Sequence, residues 1–168
     1  SAIGDADHGV NMNRGFQAAM EALDDKAPGS IDKALNTVAM TLISKTGGAS
    51  GPLYGTFFMR AGSAVKGQET IDVSDWASMM DAGLQGVIQR GKAEVGDKTM
   101  VDALTPAVEA LQQAADNGDD WDDALAAAAE AAHDGMEATI PLIAKKGRAS
   151  YLGERSKGQQ DPGATSSY

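Results

Sequence analysis

The sequence predicts an all-α fold of about six or more helices in antiparallel succession, and three observations carry that expectation. Apolar residues recur at three- and four-residue steps through six successive stretches, the period of a helix with one buried face. No stretch alternates apolar and polar residues as a half-buried strand would. The connectors are short and marked by glycine, proline or capping residues, so neighbouring helices should run in opposite directions.

The first helix is expected from Asn11 to about Asp25, with Met12, Phe16, Ala19, Met20 and Leu23 on its buried face and Pro28-Gly29 ending it. Ser30 is a natural N-cap for the second, whose stripe is Ile31, Leu35, Val38, Ala39, Leu42 and Ile43, and Gly47-Gly48 stops it after Lys45. Pro52 suits the first turn of a third helix carrying Leu53, Phe57, Phe58, Ala61 and Val65 and closing at Gly67. Ser74 should cap a fourth with Trp76, Met79, Met80, Leu84, Val87 and Ile88 inward. The methionines in that stripe read as core. A fifth helix, from about Met100 to Ala115, buries Val101, Leu104, Val108 and Leu111, with Pro106 lying in its first turns or kinking it, and ends at Asn117-Gly118. Asp119-Asp120 open a sixth whose stripe is Trp121, Leu125, Ala128, Ala129 and Ala132. So many alanines imply a close helix neighbour. His133 near its end reads as a surface residue favoured by the helix dipole. Beyond Ile143 the period dissolves, and the tail from Gly147 holds too few apolar residues to form an element of its own.

Composition narrows the possible functions. A length of 168 residues fits one domain with a substantial core. A net charge of −10 disfavours nucleic acid as a partner and favours a cation or a basic protein. There is no cysteine, which excludes a disulfide framework, a zinc-thiolate site and a thiol nucleophile, and is compatible with the cytoplasm. No apolar run approaches the ~20 residues of a membrane span. The chain opens abruptly at Ser1 with a chemically rich loop, so a further segment is expected to precede it.

That loop is Gly4-Asp5-Ala6-Asp7-His8-Gly9-Val10-Asn11-Met12. Asp5 and Asp7, two apart in a glycine-flanked turn, can turn both carboxylates to one cation, and paired hard oxygens suit Mg²⁺ sharing its shell with water and phosphates. On spacing alone a turn with solvated acids is the commoner outcome. A calcium EF-hand is excluded, because the sixth and twelfth positions counted from Asp5 are Val10 and Phe16. Gly47-Gly48-Ala49-Ser50-Gly51-Pro52 lets a ligand approach the backbone ahead of a helix whose free N–H groups attract anions, although a plain connector has the same composition. Arg90, Lys92 and Lys98 fall in one polar loop and could meet phosphate oxygens or simply be solvated. The tail holds Arg148, Arg155, Lys157 and an Asp161-Pro162-Gly163 turn, a composition suited either to a loose terminus or to a segment that wraps an anion. In an antiparallel bundle these four regions are separated by even numbers of helices and can meet at one end. Paired acids, a glycine-rich anion loop and basic groups together describe a nucleotide-phosphate site.

The residues resemble a known family, the nucleotide-binding L subunit of bacterial dihydroxyacetone kinase, a domain also found at the C-terminus of single-chain dihydroxyacetone kinases. The resemblance covers nearly the whole chain and rests on Gly4 to Met12, on Gly48-Ala49-Ser50-Gly51-Pro52-Leu53-Tyr54-Gly55, on Gly96-Asp97-Lys98-Thr99-Met100, and on Gly147-Arg148-Ala149-Ser150-Tyr151-Leu152-Gly153 with Asp161-Pro162-Gly163. It implies a closed barrel of eight amphipathic antiparallel helices, the first of them before this numbering, with the nucleotide at one end. It further implies a single nucleotide-binding domain over 1–168 in which 147–168 is a lid-like tail. The family's metal site has three aspartates; Asp5 and Asp7 match the second and third, and the first would fall just before Ser1. By resemblance two Mg²⁺ ions bind there. His8, Gly9, Val10 and Asn11 follow as nucleotide contacts, Ala49 and Ser50 line the phosphates, and Gly91 and Met100 bound the base pocket. Arg148, Gln160, Asp161 and Pro162 close the tail, with Arg148 also stabilising charge on the phosphoryl group.

The implied activity is phosphoryl transfer from ATP to dihydroxyacetone held on a partner K subunit. The stand-alone length resembles the phosphotransferase-coupled type, in which bound ADP is rephosphorylated by a phosphohistidine-carrying M subunit. Two alternatives stay open: a related kinase domain with another acceptor, of the fatty-acid kinase kind, and an ADP-sensing module that binds a transcription regulator. Neither nucleic acid nor a membrane is an expected direct partner, and a cytoplasmic location is expected.

Overall fold

The computed structural model describes Ile3, residues 7–26 and residues 28–168. Among them are seven α-helices, one 3-10 helix and no strand: α1 His8–Lys26, α2 Ile31–Lys45, α3 Ser50–Ala64, α4 Val73–Gly91, α5 Val101–Asn117, α6 Trp121–Ala138, the 3-10 helix Arg148–Ser156, and α7 Pro162–Ser167. The all-α class holds. The chain forms two compact units, an N-terminal unit Val10–Gly91 and a C-terminal unit of Lys92–Tyr168 with the start of the chain through Gly9.

In the N-terminal unit, short connectors and small residues let helix backbones approach closely. A Cβ at Gly51 would lie 2.5 Å from the Thr46 carbonyl oxygen and 2.9 Å from that of Leu42, while one at Gly62 would meet Asp32 and Leu35. These pairings run in opposite senses along the chain, so α2 and α3 are antiparallel. The same holds for α3 and α4, where Gly91 lies by Leu53, Gly83 by Phe57, and Met79 by Ala61 and Val65. The expected stripes are largely right: Ala39, Leu42, Phe57, Ala61, Val65, Met79, Leu84 and Val87 are buried. Three expectations need correction. Ile43 of α2 is exposed. Phe16 and Met20 of α1 are exposed, and its buried face is the expected Met12 and Ala19 together with Gly15. The α4 cap is not Ser74. Asp72 and Asp75 cap each other's backbone, Asp75 N–H donating to Asp72 Oδ1 at 2.8 Å and Asp72 N–H to Asp75 Oδ2 at 3.1 Å.

In the C-terminal unit, α5 and α6 form the core pair. Gly118, at φ 76°, ends α5 with its N–H on the Ala115 carbonyl, and Asp120 caps α6 by accepting from Asp123 N–H. Pro106 lies inside α5 and has no N–H to give the Asp102 carbonyl. Gly135 of α6 rests there, where a Cβ would come 2.2 Å from that oxygen. The inward face of α6 is Ala124, Ala128, Ala132 and Met136; Trp121 and Leu125 are exposed, so the expected stripe is rotated by one turn position. The larger correction is the tail. It folds into the 3-10 helix and α7, with Ser156 and Ala164 both 0 % exposed. Its order comes from long-range contact: Ala164 packs with Ala103 and Met136, and Ser156 Oγ accepts from Ala144 N–H at 2.9 Å.

Candidate functional site

The C-terminal unit gathers residues from three of the sequence motifs. His8 begins α1, and its Nε2 lies 2.9 Å from Ser166 Oγ of α7, a contact between positions 158 residues apart. Met100 is buried at the start of α5, and Gly163 is so near that a Cβ there would lie 3.4 Å from Met100 N and 3.5 Å from Met100 Cβ. Asp161 caps α7, its Oδ2 accepting from Ala164 N–H at 2.8 Å, while its own N–H donates to Thr139 Oγ1 at 2.9 Å. Pro162 follows at the first helical position, where a missing N–H is harmless. Gln160 is exposed and donates from Nε2 to Thr165 Oγ1. Arg148 is exposed and opens the 3-10 helix just after Gly147, which needs its left-handed φ of 60°.

Asp161 is only 7 % exposed, and burial pushes its carboxyl up to about 6 against the lowering effect of the Ala164 and Gly163 amides. Asp102 raises it further and Lys98 lowers it. The loop before Met100 is braced by its own acids. Asp102 accepts from Gly96 N–H at 2.6 Å and Thr99 N–H at 2.7 Å, and Asp97 accepts from Glu94 N–H at 3.1 Å. Burial raises the Asp97 carboxyl, but the Glu94 amide with Lys145 and Lys146, at 3.3 and 3.9 Å, outweighs it and holds the group below its ordinary value. One expectation for this loop fails. Lys98 cannot reach a phosphate, because it is 1 % exposed and its ammonium is surrounded by backbone carbonyls. Arg90 and Lys92 are exposed. A lysine in a polar run gives no signal of burial, so from residue type alone it reads as solvated or phosphate-facing.

The N-terminal unit holds the other expected residues. Asn11 faces Gly47, where a Cβ would lie 3.2 Å from Asn11 Oδ1, and that oxygen accepts from Arg14 Nη2 at 2.8 Å. Arg14 Nε reaches the Lys45 carbonyl, so the first turn of α1 is tied to the end of α2. Ala49 is the N-cap of α3, with no side-chain cap bond, and Ser50 is its first residue. Gly91 ends α4 beside Leu53. Gly9 and Val10 are exposed.

The metal expectation is only partly within the described residues. Asp5 lies outside them; Asp7 is an exposed carboxylate just ahead of α1. Among the described residues no three His, Cys, Asp or Glu side chains gather in reach of one ion. The exposed Asp7 carboxylate fits a cation held mainly by phosphates and water. No described helix is long and apolar enough to cross a membrane.

Among the described residues the chain is all-helical, with a braced loop, a capped tail and a glycine loop at a helix start. Residues 2–168 match the DAK2 domain, and the chain belongs to that family. It is 51% identical over 164 residues to the ADP-binding subunit DhaL of the PEP-dependent dihydroxyacetone kinase of Escherichia coli (strain K12), covering 98% of this chain and 78% of that one. Against the ADP-binding subunit DhaL of the PEP-dependent dihydroxyacetone kinase 2 of Listeria innocua it is 48% identical over 170 residues, covering 100% and 78%. The crystal structure of the dihydroxyacetone kinase of C. freundii superposes with a TM-score of 0.73 at 28% identity over 98% of this chain, which spans 27% of that longer chain. The family is thus one of dihydroxyacetone kinases and their subunits, which are phosphotransferases.

Proposed function

We propose that this chain is the nucleotide-binding subunit of a phosphoenolpyruvate-dependent dihydroxyacetone kinase, acting in the cytoplasm and active only with partner subunits. It holds ADP or ATP with two Mg²⁺ ions and delivers the γ-phosphoryl group to dihydroxyacetone carried by a K subunit. ADP then stays bound and is recharged by the phosphohistidine of an M subunit. The observation that carries this reading is the meeting of the tail with Met100 and His8, through Gly163 and Ser166. A tail so seated is suited to covering a nucleotide. The identity to two ADP-binding subunits over almost the whole chain supports it.

In this reading residues 1–168 are a single nucleotide-binding domain with 147–168 as its lid. The amides of Ala49 and Ser50, at the start of α3, receive phosphate oxygens, as helix N-termini do. His8, Gly9, Val10 and Asn11 hold the phosphate end, while Gly91, Met100, Gln160, Asp161 and Pro162 bound the base end. Arg148 stands ready to balance the charge of the transferring phosphoryl group. Bound Mg²⁺ supplies neutralisation of phosphate charge, and Asp5 and Asp7 are the carboxylates to hold it. Little covalent chemistry falls to these residues, which position and neutralise.

Mixing the chain with a dihydroxyacetone-loaded K subunit and following phosphate transfer tests the reading. Transfer from a phosphohistidine donor with only catalytic ADP is the expected result, and transfer from ATP alone at full rate would reject the coupled form. ADP with Mg²⁺ should also raise the melting temperature by mass action. No shift at millimolar ligand would reject the nucleotide site.

A further inference from the structure

Lys98 is among the most deeply buried side chains described, and its φ of 63° is a left-handed backbone that a lysine rarely adopts. Its Nζ donates to the carbonyl oxygens of Thr139 at 2.7 Å, Leu142 at 3.2 Å and Gln159 at 2.5 Å, with Ile140 O at 3.4 Å as a weaker fourth. An ammonium has three protons, so three acceptors satisfy it fully and the fourth shares one. Burial depresses the Lys98 pKa, while the Asp161 and Asp102 carboxylates push it back up. A buried cation is costly unless it is satisfied in this way.

What matters is where the carbonyls come from. Thr139, Ile140 and Leu142 lie in the turn after α6, Gln159 lies in the tail two residues before Asp161, and Lys98 itself lies two residues before Met100. One side chain therefore joins the start of α5, the end of α6 and the root of α7. Gly158 N–H on Ile140 O and Asp161 N–H on Thr139 Oγ1 add bonds between the last two, but neither reaches the α5 side. An apolar side chain of the same length would fill the space but take the Lys98 donor from the Leu142 and Gln159 carbonyls, while Ile140 O keeps the Gly158 N–H and Thr139 O the Leu142 N–H.

We infer that Lys98 is a positioning residue that seats the tail 159–168 on Met100 and the start of α5, and thereby fixes Gln160, Asp161 and Pro162 for the nucleotide. The last clause rests on the nucleotide reading above; the seating does not. Lys98 touches no reacting group and acts through the tail.

The test compares wild type with Lys98→Met. Hydrogen exchange at Gly158–Thr165 should speed at least tenfold relative to the α6 amides while far-UV circular dichroism is retained. ADP dissociation should quicken at least tenfold, with kcat at saturating nucleotide changed less than threefold, a split that general loss of stability would not produce. Tail amides that stay protected, with unaltered ADP release, would overturn the inference even if the melting temperature fell. Should Lys98→Met not fold, wild type decides by pulse acetylation in rising urea. Lys98 should become reactive together with exchange at Gly158–Thr165 and before α6 opens. A Lys98 still shielded after the tail has exchanged would overturn it. If wild type binds no ADP, the nucleotide reading fails, and the exchange and acetylation results still judge the seating.

Discussion

Each of the two units is held together internally by its own physics. In the N-terminal unit the helices meet through glycines and alanines, and the polar loops settle their hydrogen bonds locally, as Asn11 and Arg14 do against Gly47 and Lys45. In the C-terminal unit buried polar groups do much of the joining. Asp97, Lys98, Asp102, Thr139, Ser156 and Asp161 are all buried there, whereas Thr46 is the one described counterpart in the N-terminal unit. Close packing is indifferent to pH, while a buried network of opposite charges is not. The contrast teaches that the responsive part of the molecule is the unit that carries the tail.

The largest expected effect breaks the polar network. Asp102→Ala leaves the Gly96 and Thr99 amides unpaired and takes one compensating charge from Lys98, and should cost about 4 kcal/mol. Chemical denaturation measures the loss, and hydrogen exchange should place it in α5 to α7 while α2 and α3 stay protected. Uniform loosening of both units would contradict the comparison.

Gly51→Ala tests the other side. Its methyl group would strike the Thr46 and Leu42 carbonyls, which are backbone and cannot swing aside, so a loss of about 3 kcal/mol is expected, confined to α2 and α3. The loss should be the same at pH 5 and pH 8. A marked pH dependence would mean that charge matters to this seam after all.

Asp161→Asn is expected to change the pH dependence of stability. The folded-state value near 6 lies above the ordinary 3.8, so the folded protein holds the proton more tightly than the unfolded chain. The stability that Asp161 contributes is fully present below the ordinary value and is lost as pH rises through about 6. Asparagine can still accept from Ala164 N–H and carries no buried charge. The variant should therefore gain on wild type between pH 4 and pH 7.5 by on the order of 3 kcal/mol, read from paired melting curves. A constant difference across that range would remove Asp161 from the account of pH response. The smallest effect is expected for Ser166→Ala, which deletes an exposed bond to His8 and should shift stability by less than about 0.5 kcal/mol. A larger loss would show that the His8 contact supports the fold of the tail.

Helix periodicity is a local property, and the positions of α2, α3 and α5 follow from it closely, with Gly48 and Gly118 taking the left-handed backbone their turns require. The four motifs were equally legible, because residue type and order carry them. The rotated face of α6, the exposed Phe16 and the Asp72–Asp75 cap were not, since stripe residues of similar hydropathy differ only in which neighbour they meet. Asp5, central to the metal expectation, falls outside the described residues.

By itself the sequence determined the helical class, the helix breaks and the family, because these depend on spacing within a few residues. Only the tertiary structure decided that the tail is an element and that Lys98 is a buried tie instead of a phosphate ligand. Both depend on partners far along the chain: Gln159 lies 61 residues from Lys98, and Ser166 lies 158 from His8. A segment too polar to order itself becomes ordered when distant groups satisfy its backbone and bury its one well-placed alanine.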